Sequence, residues 1–228
     1  MKPIRIFIGY DHVESVAWHV LAHSIMRRSS VPVAITPIVL SNFNKTILTR
    51  PRDPKQSNDF AFSRWLVPYL CNYEGHAIFM DCDMLMRGDI AELWEAVDNR
   101  YSVQVVKHDY TPRNASKFLG QEQTTYEMKN WSSVMLFNNT ACRVLTPEYV
   151  NAVSGLSLHQ FKWIQNRFVG ALDPKWNWLV GEYEHNPHAA NVHFTVGGPY
   201  FQEYADCDYS QEWRREYADM THCAQLHG

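Results

Sequence analysis

Residues 79–89, FMDCDMLMRGD, place two aspartates around one cysteine at the end of an apolar run. Side chains of an extended strand alternate between faces, so this spacing predicts Asp81 and Asp83 on one side and Cys82 on the other. Two carboxylates held that close repel, which raises one pKa or costs stability unless a cation lies between them. Oxygen donors suit Mg²⁺ or Mn²⁺, ions that usually bind beside the phosphates of a nucleotide rather than in a full protein cage. Cys82, turned inward, behaves as a small apolar residue. An aspartate ending a strand also serves as a turn former or helix cap. The second copy of the tripeptide, Asp206, Cys207 and Asp208, has no apolar strand before it and reads as turn and cap. Only the first copy sits at the carboxyl end of a buried strand, where open α/β sheets bind their ligands.

The surrounding elements must carry these acids to a common point. IRIFIGY, residues 4–10, reads as a strand ending at a glycine turn. Asp11 with Glu14 three residues on predicts a capping box, followed by a helix whose Val16, Val20, Leu21, Ile25 and Met26 share a face. VAITPIVL gives a second strand, so strand, helix and strand within forty residues open an α/β sheet with parallel strands. Residues 41–60 are polar and carry two prolines, as a surface loop does. FSRWLVPYL reads as helix and HAIFMDCDMLM as one strand. Asp89 caps IAELWEAV, with Ile90, Leu93, Trp94 and Val97 on one stripe. YSVQVVKH, SVMLFNN and NVHFTVGG are further strands, and SQEWRREYADM is a closing amphipathic helix.

With 228 residues, 46% of them hydrophobic, the chain is expected to form one domain over 1–228, with 201–228 as a helical extension. A formal net charge of -3 gives no general attraction for nucleic acid or anionic lipid. The five cysteines, Cys71, Cys82, Cys142, Cys207 and Cys223, are scattered and never spaced CxxC, which argues for reduced thiols and a cytoplasmic setting. The most apolar window, VPVAITPIVL, is short and interrupted by Pro32 and Pro37, so no membrane span is expected. Eight Trp, twelve Tyr and eleven Phe fill a core first and offer flat faces to sugars or bases second.

Taken together, FSRWLVPYL, the strand ending in Asp-x-Asp, GDIAELW and the later VHFTVGGPY make the sequence resemble the family 8 glycosyltransferases, whose fold is the nucleotide-diphospho-sugar transferase fold called GT-A. The resemblance covers most of residues 4–200 and implies a mixed, mostly parallel α/β sheet flanked by helices. It implies Asp81, Asp83 and His193 as ligands of Mn²⁺ or Mg²⁺. It implies donor contacts at Gly9, Tyr10, Asp11, Arg64, Asp81, Cys82 and Asp83, with Tyr10 and Asp11 at the nucleotide base and ribose. Asp109 and Gln160 are implied near the reacting sugar carbon. Three departures stand out: WSS at 131–133 replaces an Asn-Ala-Gly, His159 stands where the family has an acid before Gln160, and the lysine after the His-Phe lead is absent. Amides of Gly197 and Gly198 are expected to bind phosphate in place of that lysine.

The implied reaction moves a hexose from a nucleotide sugar, a UDP-sugar, to an acceptor hydroxyl with retention at the anomeric carbon, the cation and Arg64 stabilising the leaving diphosphate. IFMDCDMLM also resembles the nucleophile strand of haloacid-dehalogenase-type phosphatases, although no further acidic pair follows a later strand. A third reading is a non-catalytic sugar-nucleotide-binding module in which Trp176, Trp178 and Tyr183 stack on the ligand.

Overall fold

The computed structural model describes residues 2–43, 46–52, 56, 58–113, 116–117, 120–122 and 126–222. Cys223 and the end of the expected C-terminal extension lie outside the described residues. Eleven strands and six α-helices occur among the described residues, and the strands form three sheets. The main sheet contains β1 (Ile4–Tyr10), β2 (Val33–Val39), β3 (His76–Met80), β5 (Val103–Val105), β8 (Val134–Asn138) and β9 (Val169–Ala171), in the order β2-β1-β3-β8-β5-β9. Pairings β1 with β2, β1 with β3 and β5 with β9 are parallel, and β8 runs antiparallel to both neighbours. This is the mixed, mostly parallel sheet expected. Pro37 falls in β2 at the sheet edge, where its missing N–H costs no ladder bond. β8 is buried at all five residues, as a strand covered on both faces must be.

A second sheet of three short strands, β10 (Trp178–Leu179), β11 (Asn191–His193) and β4 (Met84–Met86), packs beside α1 (Ser15–Arg28), and α1 packs against α6 (Ser210–Thr221). A two-stranded pairing of β6 (Ser116–Lys117) with β7 (Gln121–Glu122) completes the sheets. The remaining helices are short: α2 (Val67–Leu70), α3 (Ile90–Glu95), α4 (Pro147–Ala152) and α5 (Gly155–His159). Two apolar clusters result. The larger surrounds the main sheet, and the smaller joins Val20, Leu85, Val192, Phe194, Tyr209 and Trp213 between the small sheet, α1 and α6.

Several local expectations change. Asp11 does not cap α1, which begins at Ser15 with no side-chain cap; its Oδ1 accepts from the Val13 amide at 2.9 Å and its Oδ2 from the Asp59 amide at 3.0 Å. Met26 is 57% exposed, beyond the edge of the buried stripe. FSRWLVPYL forms a 3-10 turn, Ser63–Leu66, before the single α turn of α2, because Pro68 lies at its start and leaves only one ordinary helical turn. HAIFMDCDMLM is two strands in different sheets with a bend at 82–83 between them. Asp89 does cap α3, accepting from the Ala91 amide at 2.9 Å. No helix among the described residues is long and apolar enough to cross a membrane.

Candidate metal centre

Two backbone pairings bring the acids and the histidine together. After β3 ends, the Asp81 amide still donates to the Ser133 carbonyl at 2.9 Å, tying that residue to the start of β8. The chain then bends into the small sheet, where Met84 pairs antiparallel with His193 and the Phe194 amide donates to the Asp83 carbonyl at 2.8 Å. One ligand atom from each of Asp81, Asp83 and His193 lies within 4.8 Å of the others, and His193 Nε2 is 3.2 Å from Asp83 Oδ1. Alternation along a single strand is therefore not what aligns the two carboxylates. They meet because a bend passes the chain between two sheets at this point.

Arg64, 3% exposed, closes the other contact of Asp81: its Nη1 lies 2.7 Å from Asp81 Oδ1 and donates to the Ser132 carbonyl at 2.9 Å. Its guanidinium sits 5.0 Å from the ring centroids of both Phe60 and Phe79. The fork is thus turned onto Asp81 and a backbone carbonyl. Burial raises the Asp81 carboxyl, Arg64 pulls it down and Asp83 adds to the rise, leaving it at about 6. Burial alone would lower the His193 pKa, but Asp83 and then Asp81 outweigh it and the ring holds its proton more tightly than usual. The rise of Asp81 thus comes first from burial, and that of His193 from the two neighbouring carboxylates against burial. Asp81 Oδ1 is buried and, although within ion-pair reach of Arg64, accepts no hydrogen bond. Two carboxylates, one such orphaned oxygen and one imidazole form a donor set that fits a Mg²⁺- or Mn²⁺-sized ion.

These residues wall a cavity completed by Glu14, Asn58, Phe60, Tyr126, Asn130, Ser132, Ser133, His159 and Thr195. Glu14, read in the sequence as half of a capping box, is buried at this wall and accepts a hydrogen bond from the Tyr200 hydroxyl. His159, expected from the resemblance to stand where an acid does, is one of the residues lining this cavity. Its Nδ1 is 2.7 Å from Ser132 Oγ, and burial, then Arg64, lower its pKa to about 3, so the ring is neutral at physiological pH.

The other expected site residues are distributed unevenly. Gly9 ends next to the cavity wall: a Cβ there would sit 2.3 Å from the Phe60 ring. Tyr10 is half-buried, edge-on to Trp18 at 6.5 Å. Asp11 is buried beside Asp59, whose Oδ2 meets His12 Nδ1 at 2.8 Å, a second acidic grouping at the end of β1. Cys82 packs in the main core, and burial pushes its thiol far above the usual range, so its side chain does not face the cavity. Asp109 is exposed and Gln160 forms the C-cap of α5; neither walls the cavity. The Gly197 amide donates to the Phe194 carbonyl at 2.9 Å, which removes it as a phosphate donor. Both glycines make room for rings, since a Cβ on Gly197 or Gly198 would lie 2.3 Å from Tyr204 or Tyr200 respectively.

Sequence reasoning met Asn130 and Ser132 only through the departure at WSS, with Asn130 one place before it, and passed over Asn177. Asn130 has a left-handed backbone with φ 61°, and its Nδ2 donates to the Tyr110 hydroxyl at 2.7 Å and Thr195 Oγ1 at 3.2 Å. Asn177, fully buried, donates from Nδ2 to the Asn130 carbonyl at 3.0 Å and meets His193 Nδ1 at 2.9 Å through Oδ1.

Residues 3–151 match the pattern of the family described as glycosyl transferase family 8. The chain is 42% identical over 223 residues to Protein CDI of Arabidopsis thaliana, covering 94% of this chain and 86% of that protein. Among solved structures, the apo WbbM bifunctional glycosyltransferase superposes with a TM-score of 0.66 at 14% identity, over 95% of this chain and 50% of that one. The chain therefore spans half of WbbM. An active-site mutant of LgtC superposes with a TM-score of 0.61 at 11% identity, over 97% of this chain and 98% of that one.

Proposed function

Because the chain belongs to glycosyl transferase family 8 and shares the GT-A fold, we propose that this glycosyltransferase is metal-dependent and retaining and moves a hexose from a UDP-sugar to an acceptor hydroxyl. The observation that carries the proposal is the convergence of Asp81, Asp83 and His193. Those three side chains would hold Mn²⁺ or Mg²⁺, and the bound ion would supply positive charge to the diphosphate as it leaves. Arg64 keeps Asp81 ionised and aimed, through the 2.7 Å ion pair. The loop at Gly9, Tyr10 and Asp11 lies at the same sheet end, since β1 and β3 run parallel with Ile8 opposite Met80, and it suits the base and ribose. The tight packing of Gly9 on Phe60 joins that loop to the cavity wall.

Attack by the acceptor hydroxyl on the same face as the departing diphosphate accounts for retention without a covalent sugar intermediate. Asp109 and Gln160 carry no step in this arrangement, and His159 with Ser132 takes the place at the wall where an acid was expected. Family membership leaves the phosphatase reading without support. A metal-dependent thermal shift with a panel of UDP-sugars identifies the donor, and the product anomer resolved by NMR tests retention. Asp83→Asn should abolish the Mn²⁺-dependent shift with the metal-free melting transition intact. A variant that keeps the shift rejects the metal site, and an inverted product rejects same-face attack.

A further inference from the structure

Two acidic residues stand where β1 turns into α1, and only one of them faces the cavity. Asp11 is committed to backbone: its Oδ1 accepts from the Val13 amide at 2.9 Å and its Oδ2 from the Asp59 amide at 3.0 Å. It is not among the residues walling the cavity of Asp81, Asp83 and His193. Glu14 is, with only 4% of its surface exposed. A carboxyl group withdrawn from water is costly unless donors come to its oxygens. The Tyr200 hydroxyl brings one, to Oε2. Tyr200 is itself held, its ring centroid 5.5 Å from that of Trp213 in the small apolar cluster and Gly198 leaving it room. An ionised carboxyl group offers about four lone-pair sites, so Tyr200 and further donors can share it.

The place of Glu14 selects the ligand group. β1 and β3 run parallel with Ile8 opposite Met80, so the turn into α1 and the acidic bend lie at one sheet end. A donor whose diphosphate lies at the acids extends its nucleoside toward that turn. Uridine brings two kinds of donor, the base N3–H and the vicinal 2′ and 3′ hydroxyls of the ribose. The N3–H is flanked by two carbonyl oxygens, whose lone pairs oppose a carboxylate. The diol presents two adjacent donors with no such flank, the pairing by which acidic side chains hold ribose in dinucleotide sites. We propose that Glu14, aimed by Tyr200, is a donor-binding residue that accepts hydrogen bonds from the ribose hydroxyls, while Asp11 shapes the turn. This inference rests on the reading of the donor as a UDP-sugar.

Calorimetric titration of the whole chain in Mn²⁺ with UDP, 2′-deoxy-UDP, 3′-deoxy-UDP and N3-methyl-UDP tests it. Loss of either hydroxyl should weaken binding to wild type about 10- to 100-fold. Glu14→Gln keeps the volume and an acceptor for Tyr200, which turns its NH₂ toward the ligand. That variant should bind UDP about 10- to 100-fold more weakly and the two deoxy forms about as well as UDP. Wild type that binds the deoxy forms as tightly as UDP overturns the inference even if Glu14→Gln does not fold. So does a variant in which the deoxy penalties persist and only the N3-methyl penalty vanishes, which assigns Glu14 to the base. Wild type that binds no UDP but does bind GDP overturns the uridine reading instead, and the deoxy forms of GDP then judge Glu14 by the same comparison.

Discussion

Arg64→Met isolates the cost of the acidic pair in the absence of metal. Methionine keeps the apolar stem between Phe60 and Phe79 and removes the charge 2.7 Å from Asp81. In wild type the Asp81 carboxyl already stands at about 6 against an ordinary 3.8, a rise worth about 3 kcal/mol against folding once the group is ionised. Without Arg64 it rises further. A carboxyl cannot cost more than its own protonation, so near pH 8 the added penalty is bounded by the gap between about 6 and 8, about 3 kcal/mol. Near pH 6 the wild-type group is half protonated and the difference falls below about 0.5 kcal/mol. The sign follows from the raised value: such a carboxyl favours folding below its unfolded pKa and loses that contribution as the pH climbs through the folded one. A further, pH-independent loss of about 1–3 kcal/mol comes from the Ser132 carbonyl, which loses its buried donor. Urea unfolding of metal-free protein near pH 6 and pH 8 separates the two parts. A deficit of equal size at both pH values refutes the claim that Arg64 acts as counter-charge to Asp81.

Mn²⁺ binding should weaken as the pH falls through about 6, because Asp81 at that value and His193, also raised, must both shed protons to ligate; calorimetric affinities unchanged between pH 8 and pH 5.5 would contradict this. Gly9→Ala should destabilise by about 1–3 kcal/mol through overpacking, since the new Cβ would lie 2.3 Å from the Phe60 ring. A thermal melt that does not move would show that Phe60 has room to yield.

Where the sequence is regular, its reading survives. β1, β2 and β8 announce themselves as β-branched and aromatic runs, α3 as a capped apolar stripe, and the strand-helix-strand opening as a parallel sheet. The errors fall where a residue's partner is distant. Asp11 and Glu14 have the spacing of a capping box, but Asp11 is claimed by the Asp59 amide and Glu14 by Tyr200, neither of which a local pattern reveals. Asn177 gave no signal at all, because a lone asparagine among aromatics acquires its role only when β11 and the left-handed Asn130 are folded against it.

The pairing of Asp83 with His193 rests on very little chain, the three-residue strands β4 and β11. A slip of one residue would turn His193 to the opposite face and separate it from the acids. Register is fixed by burial on both sides. Met84 and Met86 pack in the large core while Leu85, between them, packs in the small one with Val192 and Phe194. His193 and Asn191 consequently face the side away from the small core, where Asn191 Nδ2 donates to the Trp176 carbonyl at 3.0 Å and Asn177 receives the histidine. A slipped register would put a histidine and an asparagine into the apolar small core without partners, at a cost of about 1–3 kcal/mol for each unsatisfied group. The apolar alternation Met-Leu-Met after the second aspartate thus aims His193, far along the chain, at the acids.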